Sequence, residues 1–215
     1  LVMRVCVQAV NGLHNRRGYS LQARDADPDF YRLAAKLKAI QQAGQLAVRL
    51  QEQADKTLTL IVFEPKEDAA MQAEVAETSG LLGIAPGTKE IRVVYGSAAS
   101  TNTEIAMQTR SMLQILMDLA SRIEVPEKDV AEKRVSPTFQ GDPALAELSA
   151  PLVRIHCSPE NPADAFVSVP YRGKWFWIDD RDYASKSIFS FLMFMFSLTE
   201  TGGKGEAPVM TISTN

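Results

Sequence analysis

Cysteine and histidine are scarce: the 215 residues hold two of each. Cys6 and Cys157 sit in separate segments, with only His14 and His156 to assist them. Two thiols cannot build a zinc centre, so no metal site or cofactor is expected from them. One disulfide between the pair is open, but the expected state is two free, buried small side chains. No charge sign dominates. Lys and Arg number 23 against 26 Asp and Glu, a net charge of −3, so no basic field points to nucleic acid. No apolar run reaches the roughly 18 residues that a membrane span needs. The phosphate-loop signature is missing too, since GLLGIAPG has neither its lysine nor its helix. There is no G-x-S-x-G elbow, internal repeat or heptad array. These absences leave no reaction to name.

What remains is an ordinary globular composition, 46% apolar and 23% charged with 12 Gly and 11 Pro, which excludes collagen-like and disordered chains. The chain begins inside an apolar segment at Leu1 and is read as a fragment of a longer protein. We expect a single α+β domain over 1–215, with a sub-division open near 97–103 or in a 126–150 loop.

Periodicity gives the elements. Residues 1–13 read as the end of a helix stopped by Asn11-Gly12. Asp27, Pro28 and Gly44 bracket a helix whose stripe is Phe30, Leu33, Ala34, Leu37 and Ile40. Alternation around Leu46–Leu50 and Leu58–Val62 predicts a hairpin. A helix over 66–79 and a strand IRVVYG follow. Thr101 and Glu104 form an apparent capping box, which predicts a helix to about Glu124. Residues 126–150 read as a loop or a short helix around ALAELSA. LVRIHCS, AFVSVPY and KWFWIDD read as strands, then an apolar helix over 183–199 and a last strand, PVMTIST. That makes about seven strands and five helices, a mostly antiparallel sheet with the C-terminal apolar helix buried against it as the central core element.

The C-terminal third carries the candidate sites. With a two-residue turn at Arg172-Gly173, Val169 pairs with Phe176 and Val167 with Ile178. Phe166, Pro170, Trp175 and Trp177 then share the other face. That face is core, or it is a platform in which Tyr171, Arg172, Lys174, Trp175 and Trp177 bind a partner. Asp179, Asp180 and Asp182 precede the last helix. They either cap it and pair with Arg181, Lys186 or Arg172, or they hold a divalent ion for a metal-assisted hydrolase with Lys186 or Arg110 as charge stabiliser. His156 is expected to face solvent beside Arg154. His14, Arg16 and Arg17 make a small basic loop patch. With Arg4 it offers the weakest reading, nucleic-acid binding.

The segments EIAMQTRSMLQILMDLASRIEVP, LVRIHCS and AFVSVPYRGKWFWIDDRDYASKSIFSFLMFMFSL, with VMRVCVQAVNGLHNR and DPDFYRL, resemble a family of bacterial proteins. Its motif is Tyr-Arg-Gly-x-Trp-Phe-x-Ile-Asp-Asp. This chain has Lys174 where an aromatic is common and Pro170 where a basic residue is common. The resemblance implies a cell-envelope, lipoprotein-like parent with an upstream half, and no established activity. The resulting expectation is a non-catalytic binding or assembly module facing the periplasm, with a cytoplasmic location as the alternative. Its partner would be a protein, the upstream half of the parent or a second copy of the chain. The metal-assisted hydrolase is the alternative function.

Overall fold

The structure, a computed structural model, describes residues 2–18, 23–53, 56–64, 68–145 and 150–201. It divides into two compact units, Leu1–Pro151 and Leu152–Asn215. The class is α+β as expected, with six α-helices and two mostly antiparallel sheets of six and three strands among the described residues.

The first unit runs α1 (Val2–Cys6), β1 (Val7–Val10), β2 (Leu13–His14), α2 (Pro28–Gln42), β3 (Leu46–Gln53) and β4 (Lys56–Phe63). It continues with α3 (Ala69–Leu81), β5 (Glu90–Tyr95), β6 (Glu104–Thr109), α4 (Met112–Ala120) and α5 (Glu127–Ala131). The sheet order is β2-β1-β6-β5-β4-β3, antiparallel except where β5 and β6 run parallel. The predicted stripe of α2 is the centre of the core. Phe30, Leu33 and Ile40 are fully buried and pack in one cluster with Phe63, Ile91 and Ile105 of the sheet. The cover thins toward the β3 edge, where Val48 and Leu50 are exposed despite their apolar alternation.

Two predicted helices are corrected. Of the described residues 2–13 only Val2–Cys6 is helical, and the chain turns into a strand at Val7. Near-helical spacing of valines suits a buried strand as well. Pairing with β6 decides the matter, because it buries Val7 and Val10 to 2% exposure. Asn11-Gly12 stops the segment, but as a hairpin turn with φ of 44° and 82°. That double positive φ matches the right-handed strand twist.

The helix predicted from Thr101 begins instead at Met112. Glu104 never caps Thr101. Its buried carboxylate pairs with Arg92 on the neighbouring parallel strand and accepts the Ser100 amide at 3.3 Å. Residues 104–109 are therefore a central strand with Ile105 and Ala106 buried. The true capping box is Ser111 with Gln114, whose reciprocal bonds measure 3.2 and 2.8 Å. In the 126–150 region α5 and a 3₁₀ turn at Pro143–Leu145 are seen. Residues 146–149 of ALAELSA lie outside the described residues.

The second unit has β7 (His156–Ser158), β8 (Ala165–Tyr171), β9 (Lys174–Asp179) and α6 (Tyr183–Thr201), with β9 central. Val169 pairs with Phe176 and Val167 with Ile178, the predicted register. Arg172 and Gly173 form the turn with φ of 53° and 75°. The first strand is shorter than LVRIHCS, and PVMTIST lies outside the described residues. α6 packs on the sheet, but it is not a core buried on most sides. Leu192 is 2% exposed, whereas Met193, Phe194 and Leu198 are 51, 58 and 45% exposed. One helix face meets three short strands, and a face that small cannot cover an all-round apolar helix.

Truncating the centre of this core should be costly. Phe30→Ala is expected to lose about 3–5 kcal/mol in denaturant unfolding followed by circular dichroism. Val48→Ala on the uncovered edge should change stability by less than about 0.5 kcal/mol.

Candidate functional site

At the hairpin tip, Tyr171 and Arg172 are exposed, while Lys174, Trp175 and Trp177 are half-buried. Trp177 faces His156 on β7, ring centroids 4.8 Å apart. Its indole nitrogen is buried with no acceptor among the described residues. His156 is thus half-buried and not fully exposed to solvent, because its cross-strand pairing with Trp177 lays the two rings together. The open apolar surface of the hairpin is elsewhere, on Val169 and Tyr171, 56 and 63% exposed. Phe166 leaves the face predicted for it. A register shift between Ala165 and Val167 brings its ring to Phe189 of α6 at 6.5 Å and under the Lys186 ammonium at 5.0 Å. Such bulges re-aim a side chain.

The three aspartates sit at the junction of β9 and α6, each engaged separately. Asp182 accepts the Ser185 amide at 3.0 Å and its hydroxyl at 2.7 Å, and Arg154 lies 3.3 Å away. Hydrogen bonds from Ser185 are the main reason its carboxyl is held below the usual range, with Arg154 adding to them and burial opposing. Asp180 pairs with Lys186 at 2.6 Å. Asp179 accepts the Arg181 amide at 2.9 Å. Among the described residues no group of three His, Cys, Asp or Glu is placed to hold a metal. The arrangement supplies helix capping and ion pairing.

The first unit holds a charged cluster that the sequence reading did not assemble. The Asp118 carboxylate, 4% exposed, lies 2.6 Å from Arg16 and 3.4 Å from Arg110. It also accepts the Gly18 amide at 3.0 Å. Arg110, held in this cluster, also donates to the main-chain carbonyls of Arg4 and Val5 at 3.4 Å and to that of Arg16. Arg122 lies 3.9 Å from Asp25 and over the Phe139 ring. Burial lowers the pKa of Arg4 and Arg122, and the charge of Arg16 adds to it in both. Burial raises the Tyr31 hydroxyl. Burial likewise raises the Cys6 thiol, partly offset by Arg110, and no disulfide joins Cys6 to Cys157. One signal was present in the sequence: Asp118 is the only acid between Glu104 and Glu124, inside an apolar helix.

Comparison with known proteins found no matching family model, no similar curated protein and no similar solved structure.

Removing the shared carboxylate leaves two buried guanidinium groups facing each other. Asp118→Asn is expected to cost about 3–5 kcal/mol in denaturant unfolding, and a near-neutral result would show that the cluster is not stabilising.

Asp182 gives a pH signature. Its folded pKa is depressed, so its contribution is complete above the unfolded value of about 3.9 and fades as pH falls through the folded value. Asp182→Asn should therefore flatten the acid limb of thermal stability below about pH 4, measured by melting across pH.

Proposed function

We propose that this chain is a non-catalytic binding or assembly module of a bacterial cell-envelope protein, docking a protein partner through the hairpin and last helix of its second unit. The observation that carries this is exposed apolar surface. Val169, Tyr171, Met193, Phe194 and Leu198 are 45–63% exposed within that one unit. Surface of this kind marks association when it gathers in one region. Arg172 at the tip adds positive charge beside Tyr171, which favours a partner with apolar side chains and carboxylates at the rim. The acids at 179, 180 and 182 serve the junction between β9 and α6 in this reading. The envelope location rests on the motif resemblance alone. Among the described residues no helix is long and apolar enough to cross a membrane.

A photo-crosslinking residue placed at Arg172 or Ser197 of the full chain, in cells, tests this. One defined protein adduct is expected at each position. Phe194→Ala and Tyr171→Ala should each weaken capture about tenfold with the melting temperature unchanged. The adduct mass separates a second copy from another protein. Absence of adducts at both positions would remove the reading.

A further inference from the structure

The segment after β2 carries basic residues that the second unit's docking surface does not use. Arg17 and Arg24 form an isolated antiparallel bridge, with backbone hydrogen bonds of 2.9 and 2.8 Å. That bridge brings both residues to one cavity of about 330 Å³, whose wall also includes Arg16, Arg110, His14 and Gln8. Among the described residues no carboxylate is in the wall. The countercharges stand outside it. Asp118 pairs with Arg16 and Arg110, and Asp27 accepts the His14 amide at 2.7 Å.

A second observation makes this more than a basic patch. Arg16 is 6% exposed, and its Nη1 is buried without a hydrogen-bond partner among the described residues. A buried charged donor left unmatched is costly, and it belongs to a guanidinium in the cavity wall, whose charge a bound oxyanion would offset. Guanidinium groups are planar forks that match oxyanions by paired hydrogen bonds. Four of them lining one cavity favour a dianionic, multi-oxygen group. The volume lies in the range of small-ligand pockets and exceeds a bare ion. A concave site on a chain of net charge −3 is unlike the basic stripe that tracks a nucleic-acid backbone.

We propose that this cavity binds the phosphoryl group of a small phosphate monoester. The site lies in the first unit, so it stands or falls independently of the docking surface.

Calorimetric titration of the intact chain with glycerol 3-phosphate, inorganic phosphate and citrate tests it. Glycerol 3-phosphate is expected to bind saturably, one per chain, and more weakly as salt rises. Arg24→Ala, at an exposed position, should weaken it roughly tenfold. Arg16→Lys, which keeps the charge and removes the fork, should weaken it as well. Arg49→Ala is the control. Arg49 pairs with Glu64 on β3, at the opposite edge of the sheet, and its loss should leave binding unchanged. The proposal is overturned by no saturable heat with glycerol 3-phosphate at millimolar concentration. Inorganic phosphate binding alone, citrate binding the tightest, or equal weakening by Arg49→Ala would each overturn it too.

Discussion

Between Arg16 and Arg110 lies the carboxylate of Asp118, and the N-terminal part of the first unit takes its arrangement from that contact. The three residues come from the segment after β2, the position just after β6 and the last turn of α4. Each charge has lost its water, and a buried charge is tolerated only when paired and hydrogen-bonded. The packing around it is close. A Cβ at Gly18 would lie 2.0 Å from the Ser121 hydroxyl and 3.0 Å from Asp118, so a side chain there would force the Ser121 side chain or the loop to shift.

The same network resolves the break between α1 and β1. A helix that stops leaves carbonyls without partners. Asn15, itself 5% exposed, donates to Arg4 O at 3.0 Å and Val7 O at 2.7 Å. Arg110 reaches the carbonyls of Arg4 and Val5. With those groups satisfied, Val7 can enter the middle of the sheet. The cluster carries more positive than negative charge, two guanidinium groups sharing one carboxylate. Arg16 and Arg110 both line the cavity.

The second unit is built differently. Its polar contacts centre on the start of α6, a capping aspartate three residues before its serine, a lysine reaching back six and Arg154 reaching Asp182 from before β7. Its apolar surface is only partly used, since three strands offer one narrow seat to a 19-residue helix. Such a unit keeps its secondary structure through capping and a tight turn, and leaves side chains such as Phe194 facing outward. Stability and association then draw on different residues of one helix.

Short-range chemistry was legible in the sequence. Pro28 and Gly44 bracket α2, Arg172-Gly173 makes the turn that sets the register of β8 and β9, and the acids before α6 cap and pair as their spacing allows. These depend on neighbours within a few residues, where φ preference and periodicity act. The helices predicted over 1–13 and from Thr101 failed because Val7 and Glu104 answer to partners on other strands, and apolar spacing cannot tell a buried strand from a helix. Asp118 and Arg16 are separated by about a hundred positions, so no local pattern joins them. The sequence by itself determined the Arg172-Gly173 turn, the Asp182 cap and the α2 stripe. The tertiary structure alone decided which charges share a buried site, because burial makes pairing compulsory only once the chain has closed around them.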